Sequence, residues 1–292
     1  MKRTMLFIAA FVLFVCTAGF AHDAHAQANR GRIHPASDFM LNVARGVVPG
    51  RSHIAKFGMA GDIDSATNDV ADVWDGATDT ITGFDKTLSY TFSASANIDR
   101  ISSSAADTVD IEIQGLDENW DLTVQTKTLT GTTPVALDTD LIRVFRMKNV
   151  GDTALSGDVF CFVDGTTNDV AGIPDTEADV RAIIQQGNEQ TLMAIYTIPN
   201  DKSGFMTDLW GAIAKLQTQI SPLNLYFRMN PTGVFQVKHN VVMSSAGASH
   251  IQHKFEVPLS GLPEKTDVVL RAESSVANGA VSAGFGILLV DD

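Results

Sequence analysis

Apolar and polar residues alternate with a period of two along most of the chain. Val109, Ile111 and Ile113 point to one face of a predicted strand, and the residues between them are polar until Gly115 begins a turn. The segment from Val159 to Val163 is apolar at every position, which predicts a central strand that is buried on both faces. These patterns indicate short antiparallel strands rather than long helices.

The same alternation recurs along the chain, and turn signals such as Gly131–Pro134 and Asn149–Asp152 separate the runs. One segment, Asp208–Ile220, also has apolar residues at helical spacing, so a short helix and a strand with a long hairpin are both open there. The remaining predicted strands are Leu122–Thr126, Ile142–Phe145, Leu192–Ile198, Leu223–Met229, Val234–Lys238, Ile251–Val257, Val268–Ala272 and Val281–Val290.

The domain organisation follows from length and from the distribution of these strands. A chain of 292 residues can hold two domains of ordinary size. We expect an all-β fold with two antiparallel, jelly-roll-like β-sandwiches, at residues 62–165 and 181–292. Residues 166–180, rich in Gly, Thr, Asn and Asp, form the predicted linker. Residues 27–61 are polar and basic and predict an extended arm, either solvated or lying on an acidic neighbouring subunit.

Residues 1–26 have the pattern of a secretory signal peptide. Two basic residues precede an uncharged run from Met5 to Phe20, and Ala24-His25-Ala26 supplies small residues at the positions that a signal peptidase reads. The run is shorter than the roughly 20 residues that a membrane-spanning helix needs. We therefore expect cleavage after this segment, no membrane contact afterwards and, from this feature alone, a secreted protein.

Composition and charge exclude several classes of protein. Apolar residues make up 45% of the chain and charged residues 19%, which argues against intrinsic disorder. The net charge of -13 argues against a nucleic-acid partner, because such binding relies on basic groups that neutralise phosphates. Two cysteines form no disulfide framework, and Cys161 lies between two phenylalanines, so we expect it to be an inert core residue.

His250, His253 and Glu256 have a spacing that could gather metal ligands on a helix. The surrounding sequence alternates as a strand, however, and residues three apart on a strand point to opposite faces. We therefore expect no metal site here and interpret these side chains as polar residues at the surface or at a subunit contact.

A cluster of oxygen-bearing side chains surrounds Trp74. Oxygen ligands at this density can hold calcium, but the spacing lacks the glycine and the closing glutamate of the helix-loop-helix calcium motif. We interpret the cluster as a solvated acidic loop, with calcium binding left open, and Asp164, Asn168 and Asp169 in the same way. The cluster comprises Asp62, Asp64, Asn68, Asp69, Asp72 and Asp75.

The sequence nominates no catalytic or cofactor-binding residue. It contains no Gly-x-Ser-x-Gly nucleophile motif and no glycine-rich loop that would cradle a phosphate. A glycoside hydrolase needs only two carboxylates, which any acidic chain can offer, so their presence decides nothing. We therefore expect no enzymatic activity, and a glycan-degrading enzyme is the least favoured reading.

A series of short strings along the chain carries a family resemblance. They are LNVARG (41–46), KFG (56–58), DVWDG (72–76), ISSSAADT (101–108), IQGLDENW (113–120), LTGTTP (129–134), RVFRMK (143–148), GNEQTLMAIYTIP (187–199), GVFQVKH (233–239) and VSAGFGILLVDD (281–292). In these strings the chain resembles a group of tailed-phage virion structural proteins that is common among viruses of marine bacteria. The resemblance covers nearly everything after about Asp38 and depends on the number and order of the strings, none of which is catalytic.

The resemblance implies an accessory particle component: a capsid decoration protein, a head fibre or a tail-associated piece. Such a component would assemble as a homo-oligomer and contact major capsid or tail proteins of the virion. Members of this group begin near the first string without a secretion signal, in contrast to this chain. The alternative is therefore a secreted β-sandwich binding module, an adhesin or a binder of host-surface glycans, which exposed aromatic side chains at one loop end would favour.

Overall fold

The structure is a computed structural model of the chain. The predicted signal segment, the arm up to residue 38 and part of the predicted linker lie outside the described residues, as do Asn68, Asn168 and Asp169. By its internal contacts the chain divides into two compact units, residues 1–52 and 53–292. The described residues are 39–65, 69–78, 81, 83–164, 171–214, 218–229, 231–247 and 249–292.

In the first unit the described residues contain one short helix, α1 (Phe39–Ala44). It ends in a turn in which the backbone N–H of Gly46 donates to the carbonyl of Val43 at 2.9 Å. Gly46 has a φ of 69°, in the left-handed region that glycine adopts without steric cost at helix ends. No helix in the described part of the chain is long and apolar enough to cross a membrane.

The second unit is built from β-strands and includes the short 3-10 helix Glu177–Asp179. The strand pairs from β2 to β16 are antiparallel. The predicted all-β antiparallel fold is confirmed. The strands are β1 (Arg51–Ile63), β2 (Val70–Asp72), β3 (Ile98–Ser103), β4 (Asp110–Leu116), β5 (Leu122–Thr128), β6 (Val135–Leu141), β7 (Arg143–Asn149), β8 (Val159–Phe162), β9 (Val180–Ile184), β10 (Ile195–Thr197), β11 (Lys202–Ile213), β12 (Ile220–Arg228), β13 (Gln236–Ser244), β14 (His250–Leu262), β15 (Asp267–Glu273) and β16 (Gly279–Asp291).

The described strands form four sheets that pack as two sandwiches. The first sandwich has one sheet in the order β6-β3-β8-β9 and a second in the order β5-β4-β7. The second sandwich pairs the sheet β1-β16-β11-β14 with the sheet β10-β15-β12-β13, in which β2 also joins β15. The facing sheets lie close together: a Cβ atom on Gly211 of β11 would be 2.6 Å from Leu223 of β12. One continuous hydrophobic core extends through both sandwiches.

Strand β8 is an interior strand that is buried at every position, as its uniformly apolar sequence predicts. Cys161 on this strand is fully buried, and burial raises the pKa of its thiol to about 12. Because the thiolate is the reactive form, this thiol is inert at neutral pH. The prediction of a core cysteine is confirmed.

In the segment Asp208–Ile220, for which a helix and a strand with a long hairpin were both possible, the described residues at its two ends belong to strands. Strand β11 continues to Ile213 and β12 begins at Ile220, and residues 215–217 between them lie outside the described part. Strand β11 pairs with β14 on one side and with β16 on the other. Pairing with two neighbours therefore decides the conformation of this segment, despite the helical spacing of its apolar residues.

Some strand pairs join residues from the two expected domains. The domain limits themselves stay a prediction. Strand β2 pairs with β15, and β9 pairs with β8. Residues 51–61 of the predicted arm belong to β1. The buried positions of β1 include Lys56, Gly58 and Ala60. Because none of these is a large apolar residue, the alternation that marks the other strands is missing from this part of the sequence.

Candidate interaction surface

Strings that carry the family resemblance meet where the two sandwiches join. Met193 forms β-bridges with both Phe57 and Trp74, so three strings that are distant in the sequence share one contact. The backbone N–H of Ala194 donates to the carbonyl of Val73 at 2.8 Å. We call this region, where residues 56–58, 72–76, 143–148 and 187–199 meet, the junction.

Gly58 allows the backbones at the junction to approach closely. A Cβ atom at this position would be 2.4 Å from the carbonyl oxygen of Val73 and 2.5 Å from the backbone nitrogen of Ala194. Both distances are far below a normal van der Waals contact. Position 58 therefore requires glycine because there is no space for a Cβ atom. Its backbone conformation does not require glycine, since it is that of an ordinary extended strand.

The fourth string joins the junction through backbone and side-chain contacts. The backbone N–H of Thr191 donates to the carbonyl of Met147 at 3.0 Å, and Lys148 forms a β-bridge with Gln190. Residues of β7 in the first sandwich are thereby tied to the segment that leads into β10 of the second. The junction is therefore part of the hydrogen-bonded framework of the fold, although Phe57 within it is 38% exposed.

A buried lysine also belongs to the junction. The ammonium group of Lys56 donates to the carbonyl of Phe145 and lies 5.7 Å from the centroid of that residue's ring. Burial, with a smaller effect from the positive charge of Arg146, lowers the pKa of Lys56 to about 7. Burial therefore favours the neutral amine form of this lysine.

A buried ion network links the two sandwiches beside the junction. Asp267 on β15 is inaccessible to solvent and accepts hydrogen bonds from Arg143 Nε and Arg228 Nε, both at 2.9 Å. The hydroxyl of Thr197 donates to the same carboxylate at 2.6 Å. Arg143 lies on β7 of the first sandwich, so the network crosses from one sandwich to the other. A buried carboxylate is tolerated here because two guanidinium groups compensate its charge.

Guanidinium groups and aromatic rings alternate in a ladder beyond this network. Each guanidinium carbon lies 4.7 to 5.2 Å from the centroids of its two neighbouring rings. Contacts of this kind contribute about 0.5–2 kcal/mol each. The three arginines are thus engaged by rings and carboxylates and do not form a free basic surface. In order, the ladder consists of Trp120, Arg143, Phe92, Arg228, Phe235, Arg271 and Tyr226.

The acids predicted to form one solvated loop around Trp74 have different surroundings in the structure, where Asp62 and Asp69 both contact the ammonium group of Lys86, at 2.7 and 3.6 Å. Asp72 is buried and accepts from Arg271 Nε at 2.6 Å, and Asp75 is buried as well. Burial raises the pKa of both carboxyl groups, and that of Asp75 well above its usual range. The interpretation as a solvated loop is wrong for these two acids, because each has partners in the interior. Among the described residues, no group of three or more His, Cys, Asp or Glu side chains is placed to hold a metal ion.

The histidines of β14 lie at an edge of the second sandwich. His250 is exposed, whereas the ring of His253 is half-buried, 4.6 Å from the ring of His239 on β13. Phe255 packs against both of these rings. Burial and the neighbouring His253 lower the pKa of His239. The ring cluster joins the outermost strands of two facing sheets, and Glu256 beyond it is exposed.

Strands β13 and β14 form one open edge of the second sandwich, since each is the outermost strand of its sheet. Val237, Val242 and Val257 are 52 to 81% exposed along it. Lys238 and Lys254 are exposed beside them. We call these five residues the basic edge.

An irregularity in strand pairing makes one part of the basic edge protrude. Lys254 pairs with Asp208 and Leu259 pairs with Met206, so residues 255–258 of β14 stand opposite one residue of β11. The bulge places Glu256, Val257 and Pro258 at the surface. Bulges and prolines interrupt the row of free backbone groups on an outer strand. Contacts at this edge therefore depend on side chains more than on continued strand pairing.

The first sandwich has a corresponding open edge, formed by β5 and β6. The buried amide of Gln125 joins these two strands: its Nε2 donates to the carbonyl of Thr139 at 2.9 Å, and its Oε1 accepts from the backbone of Asp138 at 2.8 Å. The strand predicted here is correct. Gln125 faces the interior, however, so Leu122 and Val124, which precede it, and Thr126, which follows it, are exposed.

Exposed apolar residues and acids share this second edge. Leu122 and Val124 are 52 and 56% exposed, and Glu118, Asp138 and Asp140 are exposed near them. Glu118 and Asp140 help to line a shallow pocket of about 220 Å³. We call these five residues the acidic edge.

The sequence contains one signal for the basic edge. Residues 209–255 contain no Asp or Glu, although the whole chain has 34 acids. This signal is the absence of acids rather than a run of basic residues such as that in residues 27–61. The acidic edge has no comparable signal, because alternation gives the period of a strand and not the face that it buries.

Tryptophan and tyrosine side chains, which could stack on a sugar, are buried or half-buried, and Phe57 is 38% exposed. All three Trp and all three Tyr lie in the described part of the chain, and none of the six is exposed. Trp74, Tyr90 and Tyr196 are buried, and the other three are half-buried. The feature that would favour a glycan binder is thus not found among these residues.

Comparison with known proteins gives no family assignment. No protein-family model and no curated protein matches the chain. Among solved structures, a chain of infectious bursal disease virus strain Gt is 11% identical, with 83% of this chain and 73% of that chain covered and a TM-score of 0.21. The VP2 subviral particle of that virus gives 8% identity, coverage of 83% and 72%, and a TM-score of 0.22. Strain Gx gives 10%, coverage of 82% and 71%, and 0.21. Likenesses at such TM-scores carry no argument about this chain.

Proposed function

We propose that this chain is a non-enzymatic structural protein of a virion, an accessory capsid component of the decoration or head-fibre type or a tail-associated component. The observation that carries the proposal is the junction, where four of the strings that resemble phage virion proteins contact one another. Strings that maintain a common fold are expected where its interior is packed. Their position at the junction supports reading the resemblance as one of architecture.

The proposed partners are neighbouring virion proteins and further copies of this chain. Both sandwiches carry an open edge with exposed apolar side chains, and contiguous exposed apolar surface often marks a protein contact. The arginines of the ladder are already paired within the fold, in keeping with a protein that does not bind nucleic acid. The proposed location is the virion, and no cofactor is part of the proposal.

The proposal is tested by quantitative mass spectrometry of particles purified from the source of this sequence. We expect the polypeptide in intact particles, at a copy number that is a multiple of the symmetry of the capsid or tail. A non-structural protein from the same lysate serves as the control for contamination. Absence from purified particles, with the protein recovered free in the medium and beginning at Gln27, would overturn the proposal in favour of a secreted module.

A further inference from the structure

We propose that the acidic edge of one copy binds the basic edge of a second copy, so that copies associate head to tail. This inference deepens the partner part of the proposed function by naming the two surfaces. It concerns the purified chain alone. A negative result in its test would therefore leave the measurement on particles unaffected.

The two edges carry complementary charge: Glu118 and Asp140 lie on one and Lys238 and Lys254 on the other, where Glu256 in the bulge is an exposed acid as well. Within the described residues, Glu118 and Asp140 form no ion pair, and neither does Lys254. Lys238 donates to the neutral amide of Gln236 at 2.9 Å. These groups contrast with the carboxylate of Asp267, whose charge two arginines compensate inside the fold. An oppositely charged surface would supply the missing partners.

Both edges also have the same mixed composition. Leu122 and Val124 accompany the acids of one edge, and Val237, Val242 and Val257 accompany the lysines of the other. An apolar centre with charged groups around it is the usual arrangement of a protein interface. A contact between the two edges would therefore combine apolar burial with ion pairs.

A head-to-tail contact and a symmetric contact differ in the charges that they bring together. In a two-fold contact each edge would meet its own copy, which would place like charges together: Glu118 and Asp140 against themselves, or Lys238 and Lys254 against themselves. Such juxtapositions are unfavourable. A contact between the two different edges avoids them. It leaves one edge of each kind free at the ends, so that repetition gives a closed ring or a chain of copies.

The test is a charge exchange measured by sedimentation velocity on the full chain over a wide range of concentration. One variant carries Glu118→Lys with Asp140→Lys, and the other carries Lys238→Glu with Lys254→Glu. We expect the unchanged protein to associate, and each variant alone to associate at least about tenfold more weakly, because one of its edges then repels its partner. An equimolar mixture of the two variants should regain association, since each supplies the intact edge that the other lacks.

The matched control for the first variant is Asp152→Lys with Asp175→Lys, which makes the same change in net charge at exposed positions that belong to neither edge. It should associate as strongly as the unchanged protein. Recovery in the mixture also demonstrates that both edge variants are folded. An unchanged protein that stays monomeric at every concentration, variants that associate normally, or a mixture without recovery would each overturn the proposal.

Discussion

The junction and the two open edges use similar residues in opposite ways. At the junction and its ion network, ionisable side chains such as Asp267 and Lys56 are buried, and each has hydrogen-bond partners from distant parts of the sequence. At the edges, lysines, carboxylates and valines stay in solvent. The difference suggests a division of labour: the junction fixes the two sandwiches to each other, and the edges are available to other subunits. Substitutions should therefore affect stability at the junction and association at the edges.

The largest expected effect is at the ion network. Asp267→Asn removes the charge that compensates Arg143 and Arg228, and leaves two guanidinium groups without a carboxylate in a buried site. We expect the free energy of unfolding, measured by urea denaturation, to fall by about 3–5 kcal/mol. The matched change at an edge is Asp138→Asn, which removes an exposed pair with Lys127. It should cost at most about 1 kcal/mol. Equal losses of unfolding free energy in the two variants would contradict the expected difference between the buried and the exposed ion pair.

The next effect is steric. Gly58→Ala places a Cβ atom 2.4 Å from the oxygen of Val73 and 2.5 Å from the nitrogen of Ala194, and backbone atoms cannot move aside as a side chain would. We expect a loss of about 3 kcal/mol or more in unfolding free energy, or failure to fold. Gly247→Ala is the control, because a Cβ atom there meets nothing within 4 Å. A tolerated alanine at position 58 would mean that the backbones do not pack as described.

A pH-dependent effect of intermediate size is expected at Lys56. Its pKa is lowered from 10.5 to about 7 by burial, so between these values the unfolded chain holds a proton that the folded chain has released. Raising the pH therefore favours the folded state, up to about pH 10.5. From pH 7 to pH 9 this lysine should contribute a rise in stability of about 2 kcal/mol.

The lysine's contribution is isolated by comparing the unchanged protein with Lys56→Met in urea denaturation at each pH. The variant should be the more stable of the two near pH 7, and its advantage should shrink as the pH rises. Lys254→Met, at an exposed position, should show no such trend. A parallel pH dependence for the unchanged protein and Lys56→Met would show that the lysine is charged and solvated in the fold.

The same contrast explains what the sequence could predict. Strands such as β8 were predictable because their apolar pattern reflects burial directly. The ion network was not, because Arg143 and Asp267 are brought together only by the packing of one sandwich on the other. The outward face of β5 was equally hidden, since Gln125 is buried through hydrogen bonds to β6 and not through hydrophobicity. Of the two edges, only the basic edge could be recognised from the sequence, because residues 209–255 contain no Asp or Glu.

The smallest effect on stability is expected at the basic edge, where the effect on association should be the clearest. Val257 is 81% exposed, so Val257→Ser should change the free energy of unfolding by no more than about 0.5 kcal/mol. If this valine is covered by the acidic edge of another copy, its loss should weaken association by about 1 kcal/mol. The dissociation constant measured by sedimentation velocity should then rise roughly fivefold. Val150→Ser, at an exposed valine outside both edges, provides the matched control and should leave association unchanged. Equal behaviour of the two serine variants would mean that exposure alone, and not membership of the edge, determines how these valines act.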